Sequence, residues 1–161
     1  GAVLAADGGT LFVHAVDAAT RADLGVVRFE LATGAATPAL AAFEGGAGFG
    51  PVFATTLAWA SDGSTLVVQS CGAESCQTRT LDTRSGVVTT FAEPHGALVG
   101  ATASALYVFE AGHERPAALL AIARDDGTLS VVAEQALDAR FDGAAATLSY
   151  ETAAGWQEVQ P

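Results

Sequence analysis

Apolar and polar residues alternate along this chain in short runs, with a period of two. Val27, Phe29 and Leu31 alternate with Arg28 and Glu30, and Phe53, Thr55, Leu57 and Trp59 alternate with Ala54, Thr56, Ala58 and Ala60. Successive side chains of a strand point to opposite faces, so runs of this kind bounded by Gly or Asp-Gly predict half-buried strands. The second run also predicts a core position for Trp59, together with Leu57 and Phe53. No segment carries a capped amphipathic helix. The best contender, 133–141, is short and sets Asp138 among its apolar positions. The expected fold class is all-β.

The turns between the runs repeat. Asp7-Gly8-Gly9-Thr10 leads into Leu11-Phe12-Val13, and Asp62-Gly63-Ser64-Thr65 into Leu66-Val67-Val68. A third copy, Ala101-Thr102-Ala103-Ser104-Ala105, has lost the Asp-Gly but keeps the strand Leu106-Tyr107-Val108. A fourth, slightly longer, runs from Asp142-Gly143 to Leu148-Ser149-Tyr150. About twenty residues after each of the first three comes a strand closed by a glycine turn, at Gly34, Gly86 and Gly127. Glycine there supplies the positive φ of a tight turn. The leucines Leu11, Leu66, Leu106 and Leu148 are separated by 55, 40 and 42 residues. The latter two match the ~40–45 residues of a four-stranded propeller blade. The excess in the first interval falls between Gly34 and Leu66, which places an insertion at Phe43–Pro51, between two units.

Trp59 to Val68 resembles the repeat of TolB-like and WD40-like β-propellers: an aromatic, Ser, an Asp-Gly turn, then an apolar strand. The likeness covers nearly the whole chain and is most specific at 57–91. Two departures stand out, since Ser61 rather than Pro precedes Asp62, and the third unit lacks the turn. The resemblance implies β-propeller-like blades of four antiparallel strands, three complete plus one partial. Residues 1–161 would then form a single propeller-like domain or a fragment of a larger propeller. A β-sandwich and a β-solenoid are the alternatives. Ring closure is what protects sheet edges in propellers, so a longer chain, a partner or a second copy completing the ring is expected.

Composition narrows the partners. The chain has 161 residues, half of them apolar and 16% charged, which is globular rather than disordered. Its net charge of −11 argues against nucleic acid and anionic lipid. All seven cations are arginine. No apolar run approaches the ~18 residues of a membrane span. The sequence contains no Met and closes in a strand-like stretch, so both ends read as cut from something longer.

The chemistry-bearing residues are few. Cys71 and Cys76, the two cysteines, flank four residues between strands. A disulfide is expected, stabilising by roughly 2 kcal/mol and implying an oxidising compartment; free thiols are the alternative. Zinc would need a second Cys pair. His14 is placed at the end of a second strand, and His95 and His113 lie in loops that a propeller opens on the same face. The insertion there contributes Phe43, Glu44 and Phe49. Its glycines resemble no phosphate cradle, because Pro51 and another strand follow instead of a helix. There is no Gly-x-Ser-x-Gly elbow and no His-Glu-x-x-His pair, and neither catalytic residue, metal site nor cofactor is expected. Turn carboxylates such as Asp7, Asp62 and Asp142 are read as clamps on backbone amides. The expected function is a non-catalytic binding module of a secreted, periplasmic or cell-envelope protein, taking a protein or saccharide ligand on the loop face. The alternative is the propeller of a larger, prolyl-oligopeptidase-like hydrolase whose catalytic domain lies outside this chain.

Overall fold

The computed structural model describes residues 1–43, 52–72, 76–91, 96–110 and 117–159. Among the described residues, fifteen strands form four antiparallel sheets and there is no helix. The first sheet is β1 (Ala2–Leu4), β2 (Thr10–Val16), β3 (Asp23–Glu30) and β4 (Ala35–Leu40). The second is β5 (Ala54–Trp59), β6 (Thr65–Cys71), β7 (Cys76–Asp82) and β8 (Val88–Phe91). The third is β9 (Ala97–Ala101), β10 (Ala105–Glu110), β11 (Ala118–Ala123) and β12 (Leu129–Glu134). The fourth has three strands, β13 (Asp138–Asp142), β14 (Thr147–Thr152) and β15 (Gly155–Val159). Within each sheet the spatial order is the chain order. Three complete units and a partial one are thus present, and the segment 133–141 is strand, turn and strand rather than helix.

Burial is deepest in inner strands and low in the last strand of each sheet. In β6, Thr65 through Ser70 are all buried, as expected of a strand covered on both faces, whereas β4, β8 and β12 are mostly exposed. One alternation does not bury the residues it predicts. Phe53 lies before β5 and is 64% exposed, and Trp59 is only half-buried, while Leu57 is buried. An apolar run marks a strand's pleat but not how much of its length another layer covers.

The recurring turns share one chemistry. Asp7 Oδ1 accepts the amides of Gly9 and Thr10 at 2.8 and 3.1 Å; Asp62 Oδ1 accepts those of Ser64 and Thr65, both at 2.8 Å; Asp142 Oδ1 accepts those of Ala144 and Ala145 at 2.9 and 3.2 Å. In the third unit Thr102 does the same work, its Oγ1 accepting the amides of Ser104 and Ala105 at 3.4 and 3.1 Å. The repeat therefore lost its Asp-Gly but not its side-chain clamp. The second marker also holds: Gly34, Gly86 and Gly127 sit at φ 70–75° and donate to the carbonyls of Glu30, Asp82 and Ala123. The left-handed backbone there is what demands glycine.

The chain divides into two compact units, Gly1–Ala58 with Leu66–Glu93, and Trp59–Thr65 with Pro94–Pro161. In the second unit, Tyr107, Leu119, Ala133, Ala136 and Leu148 form a buried cluster, with Phe141 stacked on Tyr107 at 6.0 Å. Gly100 makes room for that stack, since a Cβ there would lie 2.4 Å from the Phe141 ring.

Candidate functional site

The first unit buries a group of polar side chains in place of a purely apolar core. His14 lies within β2, two residues before its end, and the alternation of that strand turns it inward beside Phe12. It is 5% exposed, so it is an interior residue and not part of an open loop face. Asp23 opens β3 and Ser70 lies near the end of β6. His14 Nε2 is 2.7 Å from Asp23 Oδ2 and 3.1 Å from Ser70 Oγ, and Ser70 Oγ donates to the same Asp23 oxygen at 2.8 Å. The other oxygen, Oδ1, accepts the amides of Gly25 at 2.6 Å and Phe43 at 3.4 Å. Burial raises the Asp23 pKa, but the hydrogen bonds from His14, Ser70 and Gly25 outweigh it and hold the carboxyl below its ordinary value.

Arg79, on β7, completes the group. It is 7% exposed, with its guanidinium carbon 3.5 Å from the centroid of the Phe43 ring and its Nη1 donating to the Ala41 carbonyl at 2.8 Å. Burial lowers its pKa, and the negative charge of Asp23 opposes that shift. Phe43 is itself buried and lies 6.5 Å from the His14 ring, centroid to centroid. The sequence reading set Phe43 on a loop surface; the structure turns it inward, because its amide is tied to Asp23 and its ring covers Arg79. Three buried nitrogens of the group have no hydrogen-bond partner among the described residues: His14 Nδ1, Arg79 Nε and Arg79 Nη2.

Ser, His and Asp in contact invite comparison with a nucleophilic triad, and the proton inventory rejects it. A working base takes the serine proton on one ring nitrogen while the carboxylate holds the other. Here both neighbours meet Nε2. The carboxylate only accepts, so Nε2 must carry the hydrogen, and the Ser70 hydroxyl already donates to Asp23. His14 has no lone pair facing Ser70.

The remaining predicted residues fare differently. Cys71 and Cys76 are bonded to each other, linking the end of β6 to the start of β7. Glu44, Phe49, His95 and His113 lie outside the described residues. The group built on His14, Asp23, Ser70 and Arg79 was missed because its members lie on four strands. The nearest signal was a charged Arg79 at a strand position flanked by Thr78 and Thr80.

A second arginine, in the second unit, offers a contrast. Arg124 Nη1 donates to Asp62 Oδ2 at 3.1 Å and to the Thr102 carbonyl at 2.7 Å, and Nη2 donates to Thr65 Oγ1 at 2.7 Å. It ties the Asp62 turn to the Thr102 turn. A depression of about 420 Å³ beside it is lined by small side chains, among them Ala105, Ala121, Ala123 and Ser130. No helix among the described residues is long and apolar enough to cross a membrane.

No family model matches the sequence, and no curated protein matches it significantly. Solved structures do match. The chain is similar to TolB from Acinetobacter baumannii, with a TM-score of 0.57 at 10% identity over 98% of this chain and 40% of that one. The fold is that of a TolB-like β-propeller. A putative TolB from Agrobacterium tumefaciens matches with a TM-score of 0.57 at 14% identity, over 92% of this chain and 52% of that one. Oligopeptidase B from Trypanosoma brucei, with covalently bound antipain, matches with 0.60 at 18% identity, over 98% and 24%. This chain therefore spans about half or less of the length of these structures. At such identities the likeness speaks for the TolB-like fold and its blades.

Proposed function

We propose that this chain is a non-catalytic β-propeller binding module of a secreted or cell-envelope protein. The observation that supports the non-catalytic part is the convergence of Asp23 and Ser70 on one nitrogen of His14, which leaves the hydroxyl no imidazole lone pair and only a weakly basic carboxylate. The Cys71–Cys76 bond supports an oxidising compartment, and the net charge of −11 favours a protein or saccharide ligand over nucleic acid. Binding is assigned to the loops around the insertion, where Glu44, Phe49, His95 and His113 lie in sequence, because loops on a β scaffold are free to vary and to carry contacts. The likeness to oligopeptidase B favours a second reading, the propeller of a larger hydrolase with its catalytic domain elsewhere in the parent chain.

The test has two arms. A fluorophosphonate label should leave the chain unmodified, and labelling of Ser70 would defeat the non-catalytic reading. Peptide and glycan arrays should give hits that are lost when residues 45–50 are replaced by a short turn, with the melting temperature nearly unchanged. Hits that survive the replacement take the loop out of the site. An α/β-hydrolase region in the parent reading frame would decide for the second reading.

A further inference from the structure

The guanidinium of Arg79 is out of balance with its surroundings. A buried cation is tolerated when it is paired and its donors are satisfied. Among the described residues Arg79 has one hydrogen bond, from Nη1, and no ion pair within 4 Å. Asp23 is its electrostatic neighbour, but the two Asp23 oxygens already accept from His14, Ser70, Gly25 and Phe43. The unpartnered atoms are Nε and Nη2, and these are adjacent. Their N–H groups point the same way and form the fork that takes both oxygens of a planar oxyanion. The Ala41 carbonyl takes Nη1 and the Phe43 ring covers one face of the guanidinium. The edge that suits a bidentate partner is buried and has no hydrogen-bond partner among the described residues.

We propose that the Nε–Nη2 edge of Arg79 is the receptor for one carboxylate group of a ligand, admitted by displacement of Phe43. Two observations favour a carboxylate over a phosphate, which the fork would take equally well. The chain carries a net charge of −11 with Asp23 beside the site, so a single negative charge is less opposed than two. Phe43 covers the cation, and an organic acid can exchange its own apolar body for that ring. The proposal does not rest on the loop reading, since its test follows Arg79 and not residues 45–50.

The experiment is side-chain NMR of the intact chain, following the Arg79 Nε–H assigned through bonds from its backbone. Sodium acetate and a short peptide with a free C-terminal carboxylate are titrated at a constant ionic strength of about 0.15 M. A saturable shift of that resonance supports the proposal. Response to acetate identifies a free carboxylate as sufficient, and response to the free peptide but not its amidated form identifies a chain terminus. Arg79→Lys, which keeps the charge and loses the fork, should weaken binding at least about tenfold, read from the backbone amides of Thr78 and Thr80 because the Nε–H is gone. The proposal is overturned if neither probe moves the resonance, or if chloride moves it equally. It is also overturned if Glu44→Gln or Glu74→Gln moves it without ligand, since the fork would then be held by the chain itself. The wild-type titration decides even if Arg79→Lys does not fold.

Discussion

Arg79 and Arg124 are both largely removed from solvent, and their surroundings treat them in opposite ways. Arg124 meets a carboxylate, a carbonyl and a hydroxyl, and each contact joins one turn to another. Arg79 meets one carbonyl and an aromatic face, while its neighbouring carboxylate is committed to His14 and Ser70. Arg124 acts as a structural tie, completing the polar groups around it. Arg79 is a group whose own bonding the fold leaves incomplete. In buried polar networks the cost lies in what is left unpaired, so the two arginines should respond differently to the same substitution.

The largest effect should come from the carboxylate that the Arg79 side of the comparison depends on. Asp23→Ala removes the acceptor for the His14 ring, the Ser70 hydroxyl and the Gly25 amide at once. With its partners buried, the loss should be about 3–5 kcal/mol of unfolding free energy in urea. A loss below about 1 kcal/mol would mean that the cluster is open to water. Arg124→Met comes next, at about 2 kcal/mol, because it strips a tie whose Asp62 partner is only partly exposed.

How much of this was readable beforehand differs between the two regions. On the Arg124 side the turn itself is local chemistry that Asp62-Gly63 announced in sequence, although Arg124 reaches it across 62 positions. In the third copy Thr102 makes the same clamp without an Asp-Gly to mark it, so the strand was legible there and the turn chemistry was not. Fold class, unit count and the disulfide were legible because strands, turns and short Cys spacings are written over a few adjacent residues. The Arg79 side is long-range, bringing His14 to Ser70 across 56 positions. Alternation correctly gives β2 an inward face but does not say that a histidine occupies it productively. Phe43 and Phe53 failed for the same reason: an aromatic beside a loop can face either way, and only the partner decides.

Acid should sharpen the comparison on the Arg124 side. Burial raises the Asp62 pKa, but the amides of Ser64 and Thr65, the Thr65 hydroxyl and Arg124 together hold it far below the ordinary 3.8 of an aspartate. A carboxyl depressed by folding contributes stability that is present above its unfolded value and is lost as pH falls through the folded one. The wild type should therefore keep Asp62 ionised well below pH 3.8, as read from its side-chain carboxyl carbon. In Arg124→Met the midpoint should rise yet stay below 3.8, because the turn's own donors remain. An unchanged midpoint would show that Arg124 adds nothing to the turn.

The smallest effect, and the one that separates the two arginines most directly, belongs to Arg79→Met. Methionine fills most of the same volume and can lie against Phe43 through its thioether. The substitution gives up one hydrogen bond to Ala41 and the stacking on Phe43, worth about 1–2 kcal/mol together. It also removes the burial of an incompletely bonded cation, a gain of similar size in proteins where buried charges were replaced by apolar groups. The two nearly cancel, so in ligand-free buffer the variant should unfold within about 1 kcal/mol of wild type, against about 2 kcal/mol lost in Arg124→Met. That contrast is expected only if the Arg79 fork is empty. Should Arg79→Met lose as much as Arg124→Met, the guanidinium is satisfied within the fold and the two arginines are structural ties of one kind. Should it gain stability while losing its response to acetate, the fold is carrying an unfavourable charge whose use is to bind.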